Sequence, residues 1–255
     1  MMRRLPYLSV IALGLIGGLC LQAQEPVKSA RTLEGWGTIK GQVIFAGDKV
    51  PAAEELKVDK NQDHCLAKGP ILARTWTVNP QSKGVRYVVV FLKPEAGQSL
   101  PVNPEANPKK DSVVIDQPMC HFEPHILAMT KDQKFLAKNP SPVAHNIVIT
   151  GFKNSHNIQM APGTDRTFDL QPENNPISLS CGAHPWMKGT LWVFAHPYFA
   201  VTDENGNFEI KNAPAGAQNL VVWHEGKGYV IGRNGKKVDV PAGSTVDVGK
   251  VELKP

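Results

Sequence analysis

Along most of this chain, hydrophobic and polar residues alternate, or apolar residues gather in short runs between glycine- and proline-rich turns. A period of two is the mark of half-buried strands, and short apolar runs suit strands buried on both faces. The stretch Gly37–Phe45 alternates and then meets the turn Ala46-Gly47-Asp48. Val85–Lys93 holds the β-branched and aromatic run Tyr87-Val88-Val89-Val90-Phe91-Leu92, which Pro94 ends. Further strands are predicted over Phe122–Met129, Lys134–Lys138, Asn146–Ile149, Arg166–Leu170, Ile177–Ser180 and Thr190–Ala195. Helical spacing with caps is nearly absent; Ala52–Val58 is expected to form one short helical turn. Between Pro94 and Asp111 stand Pro94, Pro101, Pro104 and Pro108, the composition of an extended connection.

The tail continues as strands and turns. Tyr198–Thr202 leads into Asp203-Glu204-Asn205-Gly206-Asn207, whose Asn-Gly pair predicts a hairpin. Phe208–Ile210, Asn219–His224, Lys237–Val240 and Val246–Leu253 follow, divided by Ala213-Pro214-Ala215-Gly216 and Pro241-Ala242-Gly243. With 21 Pro and 22 Gly in 255 residues, the expected class is all-β, with many short strands joined by turns.

The N-terminus differs. Arg3 and Arg4 precede an apolar run of 14 residues, Leu8–Leu21. That is short of the roughly 20 residues needed for a membrane span. Ala23 follows, so residues 1–23 are expected to be a signal peptide cut near Ala23-Gln24, which places the mature protein in the periplasm or outside the cell. An uncleaved anchor is the alternative; lipidation at Cys20 is disfavoured because Leu19 stands where a small residue is usual. Removing Arg3 and Arg4 lowers the formal charge from +5 to +3. The remaining cations are scattered, with short pairs such as Lys109-Lys110 and Lys236-Lys237, so no nucleic-acid stripe is present. No other segment is apolar enough to span a bilayer.

The chemistry gathers in Cys181-Gly182-Ala183-His184-Pro185-Trp186-Met187, with His145-Asn146 lying upstream. One thiolate, two imidazoles and a thioether form the ligand set of a blue-copper electron-transfer centre. Soft sulfur suits Cu(I) and imidazole tolerates both oxidation states, so little rearrangement accompanies an electron. The spacing alone is a weak signal. It gains weight because Ile177-Ser178-Leu179-Ser180 delivers the Cys, Gly189–Val193 leaves after the Met, and His145 begins another strand. The plain alternative for Met187 is a core methionine, and for Trp186 a residue that packs the loop on its own domain.

Pro142-Val143-Ala144-His145-Asn146-Ile147-Val148-Ile149 and the short Cys181–Met187 loop resemble the cupredoxins, amicyanin and pseudoazurin-like proteins among them, over roughly residues 112–195. The resemblance implies a Greek-key sandwich over 112–196 and one type 1 copper held by His145, Cys181, His184 and Met187. It makes Asn146 a brace between the two loops. It also puts the His184 ring edge on an exposed loop as electron portal, with Pro185 and Trp186 as an apolar collar for a docking redox protein, such as a c-type cytochrome or a periplasmic oxidoreductase. The extra length at Asn154–Pro162 departs from the family and is placed to cover or reshape the site.

A second resemblance concerns the flanks. Thr202-Asp203-Glu204-Asn205-Gly206-Asn207-Phe208, Ala213–Gly216 and Val240-Pro241-Ala242-Gly243 are similar to the second half of a carboxypeptidase regulatory-like (transthyretin-like) sandwich. Its first half is matched by Ile39–Phe45 and Val88–Leu92. This implies one discontinuous sandwich from residues 36–97 and 197–255, with separate N- and C-terminal units as the alternative.

If Cys181 ligates metal, Cys65 and Cys120 are left to pair as a disulfide in an oxidising compartment. A second metal site with His64, His121 and His125 competes with that reading. His156 with Met160 offers a weaker extra contact, while His196 and His224 read as structural. No Gly-rich phosphate loop, Cys-x-x-Cys-His haem motif or triad spacing occurs. The expected function is therefore an exported electron carrier rather than an enzyme; a copper-handling or carbohydrate- or protein-binding module is the alternative.

Overall fold

Each alternating stretch becomes a strand, and the described part of the Pro-rich stretch does not. The computed structural model describes residues 35–106 and 111–255, together with Met2. The leader expected over residues 1–23 lies outside these residues, Met2 aside. The chain divides after Arg31, and the elements below belong to the unit Thr32–Pro255. In chain order they begin β1 (Trp36–Phe45), α1 (Gln62–Cys65), β2 (Val89–Lys93), β3 (Ser112–Asp116), β4 (Ile126–Thr130) and β5 (Lys134–Asn139). There follow β6 (His145–Thr150), β7 (Ser155–Met160), β8 (Thr164–Phe168), β9 (Ile177–Ser180) and β10 (Lys188–Phe194). The last are β11 (Phe199–Val201), β12 (Asn207–Pro214), β13 (Gly216–His224), β14 (Gly228–Tyr229), β15 (Lys236–Val240) and β16 (Thr245–Leu253). The protein is nearly all-β.

Four sheets form two facing pairs. In the first pair, β1 lies between antiparallel β12 and parallel β16, with Gly41 opposite Phe208 and Val43 opposite Val251. The facing sheet runs β11-β2-β13, with β14 and β15 on the far side of β13. Ile39, Val43, Val90, Leu92, Val222 and Leu253 fill the space between them. In the second pair, β3-β5-β8 faces β4-β10-β9-β6-β7 across a core that includes Ile115, Phe135, Ile147, Ile149, Leu179 and Val193. All of these are essentially buried, so each contributes on the order of 1.5–3 kcal/mol of apolar transfer.

β10 explains its own composition. Its run Leu191-Trp192-Val193-Phe194 is buried at every position. Leu191 and Val193 face the core of the second pair, while Trp192 and Phe194 pack on Phe91 and Trp223 of the first. A strand between two apolar layers has no solvent face, so alternation is lost.

Three local expectations are corrected. The turn expected over Ala52–Val58 is not helical: Leu56 and Ile71, and Ala73 and Glu54, share backbone hydrogen bonds, and the only described helix comes later, over Gln62–Cys65. The Asp203–Asn207 turn is not a hairpin, because β11 lies in the β2 sheet and β12 in the β1 sheet. It turns a corner instead. Asp203 Oδ1 accepts the amides of Asn205 (2.8 Å) and Asn207 (2.9 Å). Gly206 takes φ +77°, and a Cβ there would stand 2.2 Å from the Val43 carbonyl oxygen, so the close approach of backbones also demands glycine. The third correction is omission: β3, β7 and β14 were not expected. β7 reads Ser-His-Asn-Ile-Gln-Met: Ser155, Asn157 and Gln159 face outward, while Ile158 and Met160 pack on the core, and the strand is the outer one beside β6.

Candidate metal centre

The centre is built at one end of the second sandwich, where two neighbouring strands, β6 and β9, bring their ends together. His145 is the first residue of β6, and Cys181 directly follows β9. The intervening loop turns back tightly, with the Met187 amide donating to the His184 carbonyl at 2.9 Å, and β10 begins at the next residue. The loop is short because it only has to join antiparallel neighbours β9 and β10.

Three donors converge. Cys181 Sγ lies 3.7 Å from His184 Nδ1 and 3.9 Å from His145 Nδ1, and the two Nδ1 atoms are 2.9 Å apart. His145 is 1% exposed, Cys181 3%, His184 0% and Met187 1%, so the group is shut off from solvent. The Asn146 amide donates to Cys181 Sγ at 3.1 Å, tying the first-histidine strand to the cysteine loop. Its side chain turns away and donates to Asn157 Oδ1 at 3.3 Å. The brace is thus made by the backbone of Asn146.

Burial first, then the neighbouring His184, pushes the His145 imidazole down to about 4. Burial, reinforced by Lys60, lowers His184 as well. Both rings are neutral near pH 7. His184 Nε2–H donates to Asn61 Oδ1 at 2.9 Å, which leaves its Nδ1 unprotonated and facing Sγ. His145 Nε2 is buried with no hydrogen-bond partner. A metal ion bound by both Nδ1 atoms and Sγ fits this arrangement: it uses the inward lone pairs and leaves the protons outside. The set of two imidazoles and a thiol, with no carboxylate, suits a soft or borderline cation.

Two features differ from the sequence expectation. His184 is not an exposed ring edge, because the segment around α1 covers it, with Asn61 touching the ring directly. Pro185 is exposed, but Trp186 is only half-buried and turned inward: its Nε1–H donates to the Cys120 carbonyl at 3.1 Å and its ring lies 5.0 Å from that of His184. Asn61 was missed by sequence reading, and no local signal could have found it, since 123 residues separate it from His184.

Cys65 and Cys120 form a disulfide, and their sulfurs also lie within 4.8 Å of a His184 nitrogen. A bonded pair has no thiolate to give to a metal. The nearby histidines point elsewhere: His64 Nε2 contacts the Pro118 carbonyl, His121 Nδ1 the Met119 carbonyl, and His125 Nε2 the Glu225 carboxylate at 2.7 Å. Burial is the largest single influence and opposes ionisation of Glu225, but the hydrogen bonds from His125 and Thr190 and the neighbouring imidazoles together hold the carboxyl below its usual range. His121, His125 and Glu225 line a cavity of about 210 Å³ that Trp186 and Met187 also border. His156 sits beside Phe168, and Met160 faces Gln117. His196 and His224 are buried with Nδ1 accepting the amides of Tyr198 and Gly226. The length at Asn154–Pro162 is β7 and its turn, with Met160 in register opposite His145.

No family model matches this chain, and no curated protein matches it. Parts of it align with solved structures. A purple cupredoxin from Nitrosopumilus maritimus aligns at 19% identity over 31% of this chain and 97% of its own, with a TM-score of 0.28. Amicyanin from Paracoccus versutus aligns at 17% identity over 41% of this chain and 96% of its own, with a TM-score of 0.30. A copper-containing nitrite reductase from Thermus scotoductus SA-01 aligns at 16% identity over 40% of this chain and 25% of its own, with a TM-score of 0.29. Among the described residues, no helix is long and apolar enough to cross a membrane.

Proposed function

We propose that this protein is an exported electron carrier that holds one type 1 copper through His145, Cys181, His184 and Met187. The observation that carries the reading is the convergence of two neutral imidazole Nδ1 atoms and one thiol, all within 4.8 Å and all buried. Bound there, copper would supply a one-electron Cu(I)/Cu(II) couple. The protein's own work is to hold the ligands still. Cys181 would bind the metal as thiolate, with the Asn146 amide donating to its sulfur. His145 is fixed by the β6–β7 and β6–β9 ladders, and the Met187–His184 turn sets the loop. Met187, buried at the loop's end, would be the weak fourth ligand. Residues that cannot move between oxidation states keep the reorganisation small.

A copper-delivery role would need an accessible ligand, and the complete burial of His184 favours retention. A redox protein, such as a c-type cytochrome or a periplasmic oxidoreductase, would dock over exposed Pro185 and the segment covering His184. The flanking segments 36–97 and 197–255 are read as one regulatory-like sandwich interrupted by 112–196; the pairing of β1 with β12 and β16, and of β2 with β11 and β13, supports that. The deciding test is the visible and EPR spectrum after loading one equivalent of Cu(II). An intense thiolate-to-copper band with narrow hyperfine splitting is expected, and Cys181→Ser should abolish it. A Cys181→Ser protein that stayed intensely blue would end this assignment.

A further inference from the structure

Asn61 holds a backbone conformation that most residues avoid, φ 49° and ψ 38°, at the start of α1. No side-chain capping bond of that helix accounts for it. What the conformation does achieve is to aim Oδ1 at His184 Nε2 across a gap of 123 residues. The segment that carries it is anchored on both sides of Asn61. Val58 is 8% exposed and Cys65 2%, and both belong to the core of the second sandwich. Cys65 is bonded to Cys120, and the carbonyl of Cys120 holds Trp186, which stacks edge-on against His184. The outer boundary of the centre is therefore a continuous chain: Asn61, α1, the disulfide, Trp186 and back to His184.

We propose that Asn61 is the positioning residue of this centre and that its segment is the door through which metal must pass. The proposal rests on the metal-binding reading above. Accepting the Nε2–H fixes His184 in one tautomer, with Nδ1 free to bind. It also stops the ring from rotating outward, the motion by which a loop ligand releases metal. Asn61 lies outside the ligand set and is exposed; its carbonyl accepts the His64 and Cys65 amides, while its side chain reaches His184. The disulfide keeps the door shut, since α1 cannot swing away while Cys65 remains bonded to Cys120.

The test compares Asn61→Gly, which tolerates the left-handed backbone but removes the acceptor, with Asn61→Asp, which keeps an acceptor. In the metal-free proteins, ¹⁵N NMR of the His184 ring reads the tautomer. The wild type and Asn61→Asp should show a single Nε2–H form, and Asn61→Gly a mixture. In the Cu(I) proteins, transfer to excess bathocuproine disulfonate reads release. Asn61→Gly should release faster by on the order of tenfold, with Asn61→Asp close to wild type. The Cys65→Ala/Cys120→Ala pair, if folded, should also release faster. An unchanged tautomer in Asn61→Gly, or a release rate within about twofold of wild type, overturns the proposal. Failure of the wild type to form a thiolate–copper band instead overturns the metal-binding reading, and the metal-free NMR experiment still judges Asn61.

Discussion

Replacing Cys65 and Cys120 together by alanine tests how much of the stability comes from one covalent staple. The bond closes a loop of 55 residues. In the chain-entropy treatment, opening such a loop returns about 4 kcal/mol of freedom to the denatured chain. Both sulfurs are buried, so their loss also removes some packing, and alanine avoids placing hydroxyls in an apolar site. Against a typical total of about 5–15 kcal/mol, the double variant should be much weakened yet folded at 25 °C. The assay is urea unfolding of the metal-free proteins, followed by far-UV circular dichroism and by tryptophan fluorescence, since Trp186 bonds directly to Cys120. Metal-free protein is required because a bound ion would add its own linkage. With a denaturant slope of about 3 kcal/mol per molar, the midpoint should fall by about 1.3 M. A fall below about 0.3 M, with an unchanged slope, would refute the reasoning and mean that the loop is already constrained in the denatured chain.

Two further outcomes follow from buried groups away from the centre. Burial pushes His196 down to about 4, so between pH 6.5 and 4 the unfolded chain takes up a proton that the folded one does not. The depressed value means that stability is intact above the unfolded value and is lost as pH falls, by about 3 kcal/mol across that window. Subtracting the midpoint profile of His196→Gln from that of wild type should expose this slope; parallel profiles would sink the claim. Glu173 accepts the amides of Phe152, Lys153 and Asn154 and the Asn154 side chain, which locks the loop after β6. Glu173→Ala should cost about 2–3 kcal/mol in urea unfolding and speed amide exchange at residues 152–154, and unaltered exchange there would contradict it.

The all-β class was legible because strand burial writes itself into neighbouring residues. Val89–Lys93 and Ile177–Ser180 are visible in any short window. β7 was not, because its inner face holds only His156, Ile158 and Met160 between polar residues, a weak contrast that reads as a polar connection. The corner at Asp203–Asn207 carried the local signature of a tight turn, which it is; whether the strands beyond it pair with one another is decided by sheets assembled from distant segments. The centre divides in the same way. Cys181, His184 and Met187 share a loop, and His145 begins a strand with its own pattern. Asn61, in contrast, acts through a contact fixed by the Cys65–Cys120 bond, and its neighbours in the sequence describe only a polar surface turn. The inward turn of Trp186 follows from a bond to the Cys120 carbonyl, which no composition could disclose.

The placement of β1 has a temporal consequence. Its partners are β12 and β16, so Val43 waits for Val251 to be made before that ladder can close. Strands β3 to β10 pair only among themselves. During synthesis, the segment bearing His145, Cys181 and His184 can therefore reach its native pairings while β1 is still a bare edge, exposed to mispairing until β12 and β16 are made. Pulsed hydrogen exchange during refolding should find β6 and β10 protected before β1. The slow step of maturation then belongs to the flanks.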